Sequence, residues 1–175
     1  MLPRAYLACL ATLPLVLAAA CVPTPPLAPV AAAPVFNAIA FFDGRAEGVA
    51  SLKVIFKSAH SIRVHSHGVR QPDGSLVLDQ IVEEAGKKPR KRQWRIRETT
   101  PNHYAGTLSD AASPITGETQ GNRLHLHFTM KGGMDTHQWL TLSPDGQVAR
   151  NILTVSKFGL TVAVLDETIT RTPAS

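Results

Sequence analysis

Hydrophobic and polar positions alternate with a period of two over much of the chain. Leu76, Leu78, Gln80 and Val82 share one face of a segment, while Val77, Asp79, Ile81 and Glu83 share the other. Trp94 and Ile96 point opposite to Gln93, Arg95 and Arg97, and Leu124, Leu126, Phe128 and Met130 alternate with His125, His127, Thr129 and Lys131. Successive side chains of an extended chain project to opposite faces, so this alternation predicts half-buried strands. Further strand candidates are 51–56, 61–69, 103–108, 138–142, 148–156 and 160–170. Two Pro-Asp-Gly turns, Pro72-Asp73-Gly74 and Pro144-Asp145-Gly146, each sit between strand-like stretches. No segment carries a sustained helical period with caps. The pattern therefore predicts an all-β domain. The architecture expected is an antiparallel up-and-down barrel, lipocalin-like, with about eight to ten strands, a closure that leaves no open edges.

The first residues follow a different pattern. Arg4 is the single charge before an apolar run that ends in Leu17-Ala18-Ala19-Ala20-Cys21. The run is short for a spanning helix, which needs about 20 apolar residues, and suits a secretory leader. Small residues ahead of a cysteine are the cleavage pattern of lipoprotein signal peptides, which leaves Cys21 as an acylated N-terminus. An ordinary leader with Cys21 incidental is the alternative. The other cysteine, Cys9, lies in the leader, so the mature chain keeps a single thiol. Acylation would use that thiol up, whereas a lone free one would be odd in an oxidising compartment. These features divide the chain into a signal peptide (1–20), a lipidated cysteine with a Pro/Ala-rich linker (21–34) and one barrel domain (35–175). The linker contains no charge and reads as an extended spacer able to hold the domain roughly 40 Å from a bilayer.

Net charge adds little beyond this. With Arg4 removed, 17 basic residues face 13 acidic ones, a net of +4. That suits an anionic membrane surface and does not call for nucleic acid. The basic run Lys87-Lys88-Pro89-Arg90-Lys91-Arg92 falls between two strands. It is either a solvated hairpin tip or a contact for lipid phosphates.

Several short patterns recur in a fixed order: Phe41-Phe42-Asp43-Gly44-Arg45, then Arg92-x-Trp94-Arg95, Tyr104-x-Gly106, Gly117 with Gly121-Asn122, and Asn151 followed by Ser156-Lys157-Phe158-Gly159. In this order and spacing the chain resembles the bacterial family called domain of unknown function 3833, whose members are described as lipoproteins. The resemblance spans roughly 36–171. It implies a small β-rich envelope protein and no established activity. Members tend to carry acidic residues just before the tryptophan matching Trp139, where this chain has His137 and Gln138.

Candidate chemistry is thin. His65-x-His67 and His125-x-His127 each place two imidazoles on one strand face, a workable chelate if the pairs converge or if one meets His103 or His137. Amphipathic strand histidines are the plainer explanation, and no metal ligand is assigned. Trp94, Trp139 and Phe158 are candidate walls of an apolar ligand cavity, with Arg95 as a head-group contact; ordinary core is the alternative. There is no Gly-x-Ser-x-Gly elbow, no glycine-rich phosphate loop and no singled-out pair of carboxylates, so neither a cofactor nor a catalytic residue is expected. The expectation is an outer-membrane lipoprotein facing the periplasm, not an enzyme, that holds a lipid or other apolar ligand. Its partners would be the membrane, through the N-terminal lipid anchor, and the ligand. The alternatives are an accessory that binds an envelope protein partner without a ligand, and a histidine metal site.

Overall fold

The computed structural model describes residues 21–172; the leader expected over 1–20 lies outside them. A short helix, α1 (Ala38–Phe42), precedes ten strands. They are β1 (Gly44–Val54), β2 (His60–Arg70), β3 (Leu76–Glu84), β4 (Arg90–Thr100), β5 (His103–Leu108), β6 (Ile115–Gln120), β7 (Arg123–Met130), β8 (Met134–Leu142), β9 (Val148–Lys157) and β10 (Leu160–Thr172). Each strand pairs antiparallel with its sequence neighbours, and β1 closes onto β10. The result is the closed up-and-down barrel that the alternation predicts.

Helix α1 was not expected, β8 begins at Met134 rather than Gln138, and two strands depart further from the sequence expectation. β6 reads Ile-Thr-Gly-Glu-Thr-Gln, so its buried-face positions carry too little apolar side chain to register as a strand. β1 begins at Gly44 rather than Ser51, because its first inward residues are Ala46, Gly48 and Ala50. Small residues there leave space for what fills the barrel. Both Pro-Asp-Gly segments are turns, β2–β3 and β8–β9. The Asp73 carboxylate accepts from the Ser75 amide at 3.0 Å, and Asp145 does the same for Gln147 at 3.0 Å.

The turns divide between two ends. At one end lie the β2–β3, β4–β5, β6–β7 and β8–β9 turns, together with α1. Asn37 caps α1, its side chain accepting from the Ala40 amide at 2.9 Å. Phe41 and Phe42 of the helix are buried and join Phe36, Leu76, Trp94, Tyr104, Leu124, Phe128 and Leu140 in one core cluster. The helix lies so close to β2 that a Cβ on Gly68 would stand 1.8 Å from the Phe42 carbonyl oxygen. Only glycine fits that approach. A smaller cluster of Ala50, Ile62, Val64 and Val82 lines the other half of the barrel. The barrel is thus packed at the α1 end and lined, but not filled, toward the other.

The Pro/Ala-rich segment is not a free spacer. It runs along the outer wall from the open end to the plugged end. Val22 donates to the Thr161 carbonyl at 3.0 Å at the start of β10. Arg150 donates to Pro26 at 3.4 Å, and Arg123 donates to the Ala28 carbonyl. Ala31 donates to the Asn122 side chain at 2.8 Å, and the Asn122 amide returns a bond to the Ala31 carbonyl at 2.9 Å. An extended proline-rich backbone leaves its carbonyls unpaired, so arginines on the barrel wall can hold it. The expected 40 Å stand-off is therefore corrected: Cys21 sits beside the barrel.

Asn122 is buried and also donates to the Leu142 carbonyl at 2.9 Å, so it joins strap, β6–β7 turn and β8. Asn122→Ala strands the buried groups it serves and should cost about 1–3 kcal/mol. A lowered thermal midpoint and faster proteolysis within 22–34 are the expected readouts.

Candidate ligand cavity and a histidine cluster

The open half of the barrel holds a cavity of about 330 Å³. Its walls are apolar: Leu52, Val54, Ile62, Val64, Val82, Val155 and Leu165, with Met130 and Met134 among the residues near the rim. Its floor is polar. Arg92, Gln138, Asn151 and Glu167 occupy inward positions of four different strands. Glu167 is 5% exposed and Asn151 is 2% exposed. The Asn151 amide donates to the Glu167 carboxylate at 2.7 Å. Gly48 makes room for that carboxylate, since a Cβ there would meet Glu167 Oε1 at 2.1 Å.

Arg92 donates from Nε to Gln80 Oε1 at 2.7 Å, and its guanidinium lies 5.7 Å from the Trp94 ring centroid. Gln80 Oε1 also accepts from the Trp94 indole at 2.8 Å, while its amide donates to Ser66 at 2.9 Å. Among the described residues the Arg92 side chain makes no ion pair within 4 Å and no other hydrogen bond. Burial lowers its pKa, against the attraction of Glu167 and Asp110. Burial raises the Glu167 pKa, opposed by the Asn151 hydrogen bond and by Arg92. Two buried acceptors of the floor, Asn151 Oδ1 and Gln138 Oε1, have no partner among the described residues. The Asn151 bond to Glu167 fixes which end of its amide is left over. The floor thus offers a guanidinium to an anionic or carbonyl acceptor and two oxygens to a hydroxyl or amide donor, in a site where unmade hydrogen bonds are costly.

None of the four ligand residues expected from sequence lines this cavity. Trp94 does point inward, but its ring belongs to the packed half, edge-on to Phe128 at 5.6 Å, and it supports Gln80 from below. Trp139 lies between the inward Gln138 and Leu140, so strand parity turns it to the outer face. Arg95 is outward for the same reason. Phe158 stands at the β9–β10 turn, 93% exposed. The residues that do form the floor were legible as polar side chains in inward phase. Arg92 shares its parity with Trp94 and Ile96, Asn151 with Ala149 and Leu153, and Glu167 with Leu165 and Ile169.

The histidine pairs do not meet each other. His65 lies on β2 with Glu47 at 2.6 Å and Glu83 at 3.4 Å, beside a broad, open groove over the outer faces of β2–β4. His125 and His127 instead meet His137 across β7–β8, on the outer wall of the barrel. His127 Nε2 is 2.7 Å from Asp135 Oδ1, and His137 Nε2 is 3.3 Å from Asp135 Oδ2. His137 Nδ1 is 3.0 Å from His125 Nε2, and His125 Nδ1 faces Glu118 at 3.7 Å. Trp139 stacks beside His125 at 5.1 Å between centroids. Partial burial and then the neighbouring His137 hold the His125 pKa down, and the His127 hydrogen bond holds Asp135 down. One atom each from His127, Asp135 and His137 falls within a 4.8 Å cluster able to hold a divalent metal.

Fold and cavity define a small closed barrel with one end plugged and the other hollow. A family model described as protein of unknown function (DUF3833) matches residues 15–171, and the chain belongs to that family. In structure it is similar to an S-type phycobiliprotein lyase from Guillardia theta, with a TM-score of 0.59 and 7% identity over 78% of this chain and 92% of that one. This likeness concerns the barrel fold alone. No curated protein matches the chain in sequence.

Glu167→Gln tests the charged floor. A carboxyl whose folded pKa is raised costs stability as pH climbs from its unfolded value through the folded one. The amide should therefore match the parent in thermal midpoint below the ordinary value of 4.5 and exceed it increasingly as pH rises above that value.

Proposed function

We propose that this chain is an envelope lipoprotein, acylated at Cys21 and anchored on the periplasmic side of the outer membrane, that holds one amphipathic ligand in the hollow half of its barrel. It acts as a binding module rather than an enzyme. The observation that carries this reading is the cavity: apolar walls above a floor where Arg92 and Asn151 keep unused hydrogen-bonding capacity. About 330 Å³ lies at the low end of the roughly 300–1,000 Å³ of small-molecule sites. That suits a single acyl chain with a small head group and not a multi-chain lipid. Arg92 would take a carboxylate, phosphate or ester carbonyl, and the Asn151 and Gln138 oxygens a hydroxyl. A ligand-free accessory of an envelope complex needs a filled interior, and the hollow half tells against it.

Native mass spectrometry of the exported protein should show an adduct of single-chain lipid mass, identified by extraction under denaturing conditions. Val64→Phe, which fills the cavity, should remove the adduct without unfolding the barrel. Arg92→Met should weaken retention about tenfold or more, as expected for a lost charge-assisted bond. An adduct that survives Val64→Phe unchanged would place the ligand elsewhere.

The outer-wall histidines favour a second, compatible reading. His127, Asp135 and His137 form a two-histidine, one-carboxylate set. Behind it, His137 Nδ1–H can donate to His125 Nε2, and His125 Nδ1–H to Glu118, which leaves His137 Nε2 as a free ligand atom. That is the outer-shell arrangement metal-binding histidines use to fix their tautomer. Zinc or another borderline divalent ion suits these donors. Calorimetric titration with zinc should give one site, lost in His137→Ala and weakened about 10- to 100-fold in His125→Ala. Unchanged zinc affinity in His137→Ala would rule the site out.

A further inference from the structure

The two ends of the barrel differ sharply in their turns. The β1–β2, β3–β4, β5–β6, β7–β8 and β9–β10 turns surround the cavity mouth, and they carry Lys57, Lys87, Lys88 and Lys131 against the single acid Asp110. The turns at the plugged end carry Asp73 and Asp145 and no basic residue. At the adjoining strand ends the mouth adds Arg90 and Lys157, both exposed, while the plugged end adds Arg70, Arg123 and Arg171, so the contrast lies in the turns themselves. Glu83, Glu84 and Asp135 also lie near this end; Glu84 and Lys87 offset each other as an ion pair, which leaves Lys57, Lys88, Lys131, Arg90 and Lys157 against Asp110, Glu83 and Asp135.

Two phenylalanines stand among these lysines. Phe56 is 87% exposed and Phe158 is 93% exposed, the largest exposures of any large hydrophobic residue among those described. Both sit at hairpin tips in the left-handed region, with φ of 61° and 51°. Glycine or asparagine would adopt that conformation more readily than a bulky aromatic. The neighbouring Lys157 ammonium lies 5.6 Å from the Phe158 ring centroid, a contact that leaves the ring 93% exposed, and neither ring is buried against the barrel. A surface that accepts the rings accounts for phenylalanine there. Leu160, 42% exposed, continues the apolar tip beside Phe158.

We propose that the mouth of the barrel docks face-down on an anionic bilayer, with Phe56 and Phe158 entering the head-group and upper acyl region and the lysine ring lying on lipid phosphates. Aromatic tips within a basic ring match the two components of interfacial binding, apolar insertion and attraction to anionic lipid. The β1–β2 and β9–β10 hairpins that bear the rings are also cavity walls, through Leu52, Val54, Val155 and Val162. The cavity would then open onto the membrane, and an acyl chain could pass between them without crossing water. The strap is consistent with this orientation: Val22 is tied to Thr161 at the same end, so a lipid on Cys21 would enter the same leaflet. The turn charges and the phenylalanines carry the proposal without that lipid, and the ligand itself belongs to the function proposed above.

The test uses the full chain in phosphatidylethanolamine–phosphatidylglycerol vesicles with brominated acyl chains. Phe56→Trp and Phe158→Trp add reporters at the mouth, and Val69→Trp adds one on the wall near the plugged end. The expected result is acyl-chain quenching of the emission added at 56 and 158 and none of that added at 69. Lys57→Glu/Lys88→Glu should abolish the added quenching while leaving the thermal midpoint near that of the parent. Equal quenching at 69, or none at 56 and 158, would overturn the proposal. A quenched mouth in protein that never carries an adduct would uphold docking and sink ligand binding. A bound adduct with unquenched tips would do the reverse. Tips quenched in protein whose Cys21 bears no lipid mass would uphold docking and remove the anchor.

Discussion

The pairing of β1 with β10 is the contact on which everything else depends. It joins Arg45–Val54 to Ala163–Thr172 over a continuous antiparallel register and turns a ten-strand meander into a barrel. Closure satisfies the backbone of what would otherwise be two exposed edges. It also sets the bore. Barrel diameter grows with strand number, and about eight strands give an interior that side chains just fill. Ten strands leave a surplus of space. The chain fills one half with α1 and its phenylalanines and leaves the other half hollow.

The polar layer marks the boundary between these halves. Ser66, Gln80, Trp94 and Arg92 form one hydrogen-bonded line, and Asn151 with Glu167 forms another. Burying a glutamate and half-burying an arginine without a direct ion pair is expensive, and a fold that needed only a core would place leucine or valine there. Gly48 gives up its own side chain to admit Glu167, so the cost reaches a neighbouring strand as well. A ligand whose head group completes the unused bonds gives these residues a reason to be where they are. The same logic applies at the mouth, where two phenylalanines hold a backbone conformation that suits glycine.

The strap ties these features together. Its carbonyls accept from Arg123 and Arg150 on the barrel wall, and Asn122 pins its lower end to the β6–β7 turn. Arg150 is itself held by a two-pronged pair with Asp166 at 2.8 and 3.1 Å. Residues 22–36 therefore have a defined track along the wall, starting at the hollow end and finishing in the plug. Where the chain enters, what closes the barrel and which end stays open are parts of one arrangement.

The strand pattern, the Pro-Asp-Gly turns and the barrel class were legible in the sequence because period-two alternation reports directly on which face is buried. The family pattern was legible as well, through short motifs in a fixed order. β6 was not, since Gly117 and Thr119 stand at its inward positions. The ligand floor was half legible: Arg92, Asn151 and Glu167 lie in phase with buried neighbours, yet alternation alone cannot say which inward polar residues share a layer. That depends on strand stagger around the closed sheet, and stagger is a tertiary quantity. Trp139 and Phe158 do not line the cavity, one because strand parity turns it outward and the other because it stands in the β9–β10 turn, between the two strands rather than within either. The meeting of His125 and His127 with His137, rather than with His65 and His67, was decided by β7 pairing with β8. Local alternation sets the face of a residue, and only the closed, staggered barrel sets its neighbours.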